Sequence, residues 1–416
     1  MGEDSLAVLL EIEHPDDRHS GKPALWYWFV RLCYEGTRRV EVPIAVLMVL
    51  AILVFARILA WYWQHGLRKS GVALFILICV TPHMVYFSGT LYPDGYYAIA
   101  VAGLLFELWF AVKVGRMSAA GLLVTAVTLP FAAFARPNGI IFLVPIAVAL
   151  LWVDRRSRVW MSVILATSLG LNIAAVEMRR DVPGHGALFP LVIFETANFL
   201  QPRPMNIWTT EPRVLPETVA LLQQRGIYDQ VVRYYDPDYW DPLVFNPQGP
   251  RVMGLPKKDQ KVLVHQFLTY NLWHNIPKFV GSRVNVMLTS ALAQGGLPAH
   301  SYAEHVLAQL ESRSRFRIHG WEPLTVALFQ LHEQSYKWRW LLWTPFIGIA
   351  MTFWALATGW RRRDRALLLV GIPMCIQFVA IMLFSIAGEY RYLLPFFTLP
   401  LAMIPAYVGL RSEVNS

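Results

Sequence analysis

Acidic residues are concentrated in the first twenty positions of the chain, ahead of an aromatic run. We single out Asp4 and Asp17 as candidate catalytic residues, because a carboxylate held at a membrane surface can act as a general base towards a hydroxyl or an amine. The stretch leads through Lys22 into Trp26-Tyr27-Trp28, and such aromatic residues favour the membrane interface. The alternative interpretation is a solvated acidic tail without chemistry.

The same stretch contains residue types that bind metals. His14, Asp16, Asp17 and His19 could supply ligands, but the i,i+4 spacing that places two ligands on one helix face is absent. The three cysteines of the chain are far apart and form no CxxC pair, so no zinc site or disulfide framework is indicated. We predict neither a metal nor a cofactor, although the residue types near the N-terminus would accept a divalent cation.

Four further charged residues lie at the ends of apolar runs and are candidates for substrate binding together with Lys22. Asp94 follows Pro93 in a turn, Arg136 precedes a proline, and Glu389 and Arg391 share one short connection. The planar guanidinium of arginine forms two parallel hydrogen bonds with phosphate, which predicts a site for a lipid-linked phosphate. The alternatives are a plain Pro-Asp-Gly turn and arginines that snorkel towards lipid headgroups.

The segment Asp236-Pro237-Asp238 looks like the DxD motif that holds a metal and a nucleotide diphosphate in soluble glycosyltransferases. Its neighbours are tyrosines and a tryptophan, and Pro after Asp is a turn signal. We therefore predict a turn with aromatic packing at this position.

Long apolar runs must position these residues. The chain of 416 residues is 56% hydrophobic and only 16% charged, whereas a soluble domain usually has about a quarter of charged residues. A helix needs about 20 apolar residues to cross a bilayer. The sequence predicts an all-α transmembrane bundle of nine runs, at 43–63, 71–91, 95–112, 118–135, 139–153, 159–176, 338–358, 366–386 and 393–410.

The basic residues of the short connections predict the orientation. One set of connections has twelve lysines and arginines and the opposite set has only Arg136 and Arg391, so the first set should face the cytoplasm. The net charge of +9 is therefore expected to face membrane lipid, and nucleic acid is not a predicted partner. Residues 1–40 and a mainly α soluble segment at 177–337 should then face outward, with transmembrane runs at 41–176 and 338–416.

This orientation leaves residues 1–40 outside with no preceding span. Either this tail is translocated unaided, or a first helix precedes Met1 in the full protein; we favour the second alternative.

Several of these pieces together resemble the GT-C class of integral-membrane glycosyltransferases, in particular its bacterial mannosyl and aminoarabinose transferases. The stretch Lys22 to Trp28 is similar to the KPPL-YYW stretch of that class, with Ala24 in place of the second proline. Glu3-Asp4-Ser5 looks like its upstream acidic site, and Ser88 to Gly95 resembles a turn between two spans. Phe134 to Gly139 and Arg391 to Pro395 resemble its R-P-N/T-G and RYLLP motifs.

The resemblance implies an enzyme of the bacterial inner membrane with a polyprenyl-phosphate-linked sugar as donor and an envelope glycan, lipid or protein as acceptor. The donor phosphate would lie near Arg136 or Arg391, and Asp4 or Asp17 would deprotonate the acceptor. The acceptor would attack the anomeric carbon with inversion of configuration, and Trp26, Tyr27 and Trp28 would hold the isoprenoid chain.

Two other classes of function remain open from the sequence. A transporter or flippase would have polar residues within its spans and broken helices in paired halves, and the sequence has few such charges and no internal repeat. A non-catalytic assembly factor for envelope polysaccharide would act through the segment 177–337. Within the spans, Arg57 and Glu107 are predicted to pair with each other, because an unpaired charge in hydrocarbon is costly.

Overall fold

The protein is mainly helical in the part of the chain that its structure describes. The structure is a computed structural model, and it describes residues 3–16, 19–179, 188–202, 214–292, 309, 312 and 322–415. Its helices are α1 (Glu3–Glu13), α2 (Ala24–Tyr34), α3 (Glu41–Gln64), α4 (Arg68–Val80), α5 (Pro82–Ser88), α6 (Pro93–Val114), α7 (Ala119–Phe134), α8 (Leu143–Ala149), α9 (Arg155–Glu177), α10 (Phe189–Leu200), α11 (Pro216–Gln224), α12 (Tyr228–Arg233), α13 (Asp241–Val244), α14 (Lys257–Gln266), α15 (Leu272–His274), α16 (Ile276–Ala291), α17 (Glu322–Lys337), α18 (Arg339–Leu342), α19 (Phe346–Arg362), α20 (Arg365–Phe384) and α21 (Leu394–Asn415). These residues form no β-strand, and one isolated bridge joins Tyr239 to Ala387. The all-α prediction is confirmed for this part of the chain.

Six helical segments of the described chain are long and apolar enough to cross a membrane, namely Glu41–Gln64, Pro93–Val114, Arg155–Glu177, Arg339–Arg362, Arg365–Phe384 and Tyr390–Gly409. The other three predicted runs form shorter helices. The number of spans, nine by sequence, stays a prediction.

The run predicted at 71–91 is divided into α4 and α5 at Thr81-Pro82. Thr81 is extended, with φ −73° and ψ 119°, because the ring of a following proline excludes the helical conformation. The runs predicted at 118–135 and 139–153 become the 16-residue α7 and a 3₁₀ turn, Pro137–Phe142, followed by α8. Proline and glycine at the ends of these runs shorten the continuous helices.

The chain divides into two compact units that differ from the predicted boundaries. Unit 1 comprises Met1–Val182, Leu297–Phe378 and Arg391–Ser416, and unit 2 comprises Pro183–Gly296 and Val379–Tyr390. The last residues of α20 and the connection after it therefore belong to unit 2, whereas α17 belongs to unit 1.

The centre of unit 1 is α6, which packs against α7, α3 and α21. Of its most apolar stretch, 78% is buried, against 33% for α3. Small residues permit close approach elsewhere in the bundle: a Cβ at Gly348 of α19 would lie 1.7 Å from the carbonyl oxygen of Phe396 in α21. A helix that is apolar on every side, such as α6, is stable only where neighbours cover it.

The N-terminal region contains two helices rather than a solvated tail. The residues of α1 that are buried are mostly aliphatic, namely Leu6, Val8, Leu9, Leu10 and Ile12. Burial of such side chains contributes about 1.5–3 kcal/mol each relative to exposure. The solvated-tail interpretation is therefore wrong for Ser5–Glu13.

Unit 2 has its own core. The apolar faces of α10, α14 and α16 meet in it, and it contains Phe194, Phe199, Leu263, Phe267 and Val286. Residues 188–202 and 214–292, which lie within the segment predicted at 177–337, are thus mainly helical and have a common core.

Candidate functional site

The charged residue predicted in the turn before the third apolar run is buried in an ion pair. Asp94 lies in the first turn of α6, its side chain is only 2% exposed, and Arg136 forms a salt bridge with it. Arg136 adopts an extended conformation, φ −138° and ψ 149°, directly before Pro137. The chain can fold back at this point because Gly139 has no side chain. A Cβ at this position would lie 2.4 Å from the carbonyl oxygen of Ala132.

A second arginine reaches the same place from the C-terminal part of the chain. The Arg391 guanidinium carbon lies 5.3 Å from the ring centre of Tyr92 and 5.6 Å from that of Tyr392. The guanidinium carbon of Arg136 lies 5.0 Å from the same Tyr392 ring. Cations are attracted to the faces of aromatic rings at such distances. We call this group the arginine cluster: Tyr92, Asp94, Arg136, Arg391 and Tyr392.

The arginine cluster has the chemistry of an anion site. A guanidinium has five N–H donors in a fixed plane, and two guanidiniums beside one aromatic ring concentrate positive charge that attracts a phosphate. The cluster lies where α6 begins, where α7 ends and where the last apolar span begins. Of the residues predicted from sequence, Asp94, Arg136 and Arg391 are brought together. Glu389 lies in unit 2, half-buried, two positions before Arg391.

The N-terminal region contains a second buried ion pair, between Glu11 and Arg179, that the sequence analysis did not predict. Glu11 is 3% exposed, and one of its oxygens accepts a hydrogen bond from Nε of Arg179 at 3.0 Å. The other accepts from the backbone N–H of Ser20 at 2.9 Å. Nη1 of Arg179 donates to the carbonyl oxygen of Lys22 at 2.5 Å. Glu11 therefore fixes the connection between α1 and α2. In the sequence, its burial could have been predicted from its position among the apolar residues of α1.

The structure does not describe where the two candidate bases, Asp4 and Asp17, lie relative to the pair of Glu11 and Arg179. Asp4 lies within α1, but its side chain is outside the described part of the chain, and so is Asp17. Lys22 lies in the connection that Glu11 and Arg179 hold. The two carboxylates therefore stay predictions as catalytic residues.

The aromatic residues of α2 face the protein interior. Trp26 is fully buried and Tyr27 is 4% exposed. Trp28 donates from Nε1 to the carbonyl oxygen of Ala175 at 3.1 Å, and Arg179 lies over the Tyr27 ring at 4.4 Å. The expectation that these rings hold an isoprenoid chain is therefore wrong for Trp26 and Tyr27, which are packed against protein; for Trp28, which is half-buried, it stays a prediction.

An apolar cavity of about 570 Å³ lies elsewhere in unit 1, between α4, α5, α17, α18 and α21. Its walls include Leu74, Met84, Trp338, Phe397 and Leu401. Phe397 lies six positions after Arg391, which is about 9 Å of helical rise. The cavity is therefore close in the chain to the arginine cluster and has an apolar lining that suits a hydrocarbon chain.

The predicted pair within the spans is confirmed. Nε of Arg57 in α3 lies 2.7 Å from Oε1 of Glu107 in α6, and Nη2 donates to Oε2 at 3.3 Å. The side chains are 9% and 1% exposed. The guanidinium also lies 5.7 Å from the ring of Phe106.

The Asp236-Pro237-Asp238 segment is a turn, as predicted. Oδ1 of Asp236 accepts from the backbone N–H of Asp238 at 2.8 Å, the arrangement of an Asx turn. Oδ1 of Asp238 accepts from Asn285 at 2.8 Å and from Thr289 at 3.1 Å. Within the described ranges, no group of three or more His, Cys, Asp or Glu side chains could hold a metal ion.

Unit 2 also contains a fully buried ion pair. Glu195 of α10 bonds to Arg283 of α16, to Ser282 at 2.7 Å and to Asn198 at 2.9 Å. Burial raises the pKa of the Glu195 carboxyl and lowers that of the Arg283 guanidinium, because a charge is poorly solvated there. Arg283 also donates to the carbonyl oxygen of Ser385, so the pair joins the two chain segments of unit 2.

Comparisons of the chain with protein-family models, with curated proteins and with solved structures found no match.

Proposed function

We propose that the protein is a glycosyltransferase of the bacterial inner membrane that moves a sugar from a polyprenyl-phosphate carrier to an envelope glycan, lipid or protein. The observation that supports this most strongly is the arginine cluster, in which Arg136 and Arg391 share the Tyr392 ring. Two guanidiniums at one end of an apolar bundle suit a phosphate that is attached to a membrane-embedded chain.

In this proposal, Arg391 and Arg136 bind the phosphate of the donor, and Asp94 orients Arg136 through their ion pair. The isoprenoid chain occupies the apolar cavity lined by Phe397, Trp338 and Leu74. In this role the cavity takes the place of the aromatic residues of α2, of which Trp26 and Tyr27 are packed against protein.

The reaction is a displacement at the anomeric carbon. Asp4 or Asp17 takes the proton of the acceptor hydroxyl while its oxygen forms a bond to the anomeric carbon. The bond between that carbon and the phosphate oxygen breaks, and polyprenyl phosphate leaves with the electron pair. The arginine cluster lowers the barrier by stabilising the negative charge that develops on the leaving phosphate.

The test is binding of a polyprenyl monophosphate, because the sugar need not be known. Native mass spectrometry of the purified protein should detect the bound lipid, and Arg391→Gln should lower its occupancy by about ten-fold, as expected for the loss of one charged hydrogen-bonding partner. Arg158→Gln is the matched control, since Arg158 is exposed and donates to the carbonyl oxygen of Leu150 at 2.8 Å. Equal occupancy in the parent protein and both variants would exclude the proposed donor site.

Transfer itself is tested with a panel of radiolabelled polyprenyl-phosphate sugars. Asp4→Asn or Asp17→Asn should abolish transfer and leave the carrier bound, because only the proton acceptor is lost. If both variants transfer sugar at the parent rate, neither carboxylate is the base.

A further inference from the structure

A shallow cavity of about 780 Å³, open to solvent, lies on the surface of unit 1. It is formed by the end of α6, the turn between α19 and α20, and the connection before α9. The charged and aromatic residues that line it are Lys113, Trp152, Arg362, Arg363, Asp364 and Arg365. It is separate from the arginine cluster, because Asp94 of that cluster lies in the first turn of α6 and Lys113 of the cavity lies in the last turn.

The described carboxylate in this cavity is already engaged by other groups. Oδ1 of Asp364 accepts from the backbone N–H groups of Ala366 at 3.0 Å and Leu367 at 3.2 Å, which caps the start of α20. Its Oδ2 forms a salt bridge with Nζ of Lys113 at 3.1 Å. Within the described ranges Arg362 and Arg363 have no carboxylate partner, so the cavity is strongly positive.

The turn fixes the backbone of Arg363, and an aromatic ring contacts the side chain of Arg365. Arg363, which directly follows α19, has a φ of 53°, a left-handed conformation that residues other than glycine rarely adopt. The backbone N–H of Asp364 donates to the carbonyl oxygen of Gly359 at 2.9 Å, which closes this turn. The guanidinium carbon of Arg365 lies 5.6 Å from the ring centre of Trp152, a cation–π contact at the cavity wall.

We propose that this cavity binds a phosphate anion, supplied either by the headgroup of an anionic lipid or by free inorganic phosphate. Guanidiniums that are not neutralised by carboxylates form bidentate bonds with phosphate oxygens, and Arg362, Arg363 and Arg365 are exposed at this cavity. Basic pockets at the ends of transmembrane helices recognise anionic headgroups by the same chemistry. The size of the cavity, about 780 Å³, is ample for a phosphodiester headgroup.

The first arm of the test measures lipid retention by native mass spectrometry, with phosphatidylglycerol and phosphatidylcholine added in equal amounts to the purified full chain. The parent protein should retain phosphatidylglycerol in preference. Arg362→Gln with Arg363→Gln should lower that retention by about ten-fold or more, since each basic group near an anionic lipid contributes a few-fold in affinity. The matched control is Arg155→Gln with Arg156→Gln, which removes two exposed arginines at the start of α9 that do not line the cavity.

The second arm distinguishes the source of the phosphate. Inorganic phosphate is added without lipid at constant ionic strength, and the thermal unfolding midpoint is followed against chloride. A shift in the parent protein and the α9 control, absent from the cavity variant, identifies free phosphate as a ligand; a lipid preference without this shift identifies the headgroup. Arg362→Lys with Arg363→Lys, which keeps the charge that sets membrane orientation, should lose part of the binding because the bidentate geometry is lost.

The proposal is overturned if both double-Gln variants lose phosphatidylglycerol equally, because the effect would then be one of overall charge. It is equally overturned if neither lipid preference nor a phosphate shift depends on Arg362 and Arg363.

Discussion

Arg136 and Arg391 lie on the same aromatic ring, with guanidinium carbons 5.0 and 5.6 Å from the centre of Tyr392. One arginine follows α7 and the other begins the last apolar span, so the contact joins distant parts of the chain. Arg136 is also tied to a buried carboxylate, Asp94, and the contribution of this pair to stability can be measured.

Removal of the charge of Arg136 should destabilise unit 1 strongly. Arg136→Gln leaves the buried carboxylate of Asp94 without its partner, and the loss of one member of a buried pair costs about 3–5 kcal/mol. Adding Asp94→Asn should recover much of this loss, because neither charge then remains. Denaturant unfolding in detergent measures both variants. A single variant as stable as the parent would show that the pair does not contribute to stability.

The pair Arg57 and Glu107 should behave in the same way within the spans. Glu107→Gln leaves the buried guanidinium of Arg57 unneutralised, and we expect a loss of about 3 kcal/mol or more. The exchange of the two residues, Arg57→Glu with Glu107→Arg, retains a pair and should restore part of the stability. Thermal unfolding in detergent measures these variants. If the exchanged protein is less stable than the single variant, attraction between the two charges is not the cause.

Gly348 should be intolerant of a methyl group. Its Cβ would lie 1.7 Å from the carbonyl oxygen of Phe396, so Gly348→Ala must force α19 and α21 apart, at a cost of about 1–3 kcal/mol. Gly170→Ala in α9 is the control, because nothing lies within 4 Å of that Cβ. It should be neutral or stabilising by about 0.5–1 kcal/mol, from the helix propensity of alanine alone. Both are measured by unfolding in detergent, and an equal effect at the two positions would refute the steric argument.

The predicted orientation is measured by cysteine labelling in intact cells. In a variant without Cys33, Cys79 and Cys375, a cysteine placed at exposed Gly36 or Gln224 should react with an impermeant maleimide. A cysteine at exposed Arg156 should be protected until the cells are permeabilised, because the basic connections are predicted to face the cytoplasm. Labelling of Arg156→Cys in intact cells would show that the protein has the opposite orientation to the one predicted.

The sequence by itself determined the helical class and most of the apolar segments, because burial in lipid demands long apolar stretches with internally bonded backbones. It also indicated the ion pair between Arg57 and Glu107, since a charge in hydrocarbon requires a partner. The turn at Asp236 was readable because its chemistry is local, within three residues.

Tertiary structure decided what depends on contacts between distant segments. The pairing of Asp94 with Arg136, the ring shared with Arg391 and the burial of Glu11 by Arg179 each join residues far apart in the chain. Local pattern suggested that Trp26 and Tyr27 lie at the membrane interface, whereas packing against neighbouring helices buries both. Hydrophobicity selects which residues leave water, but only the arrangement of the helices decides which of them face one another.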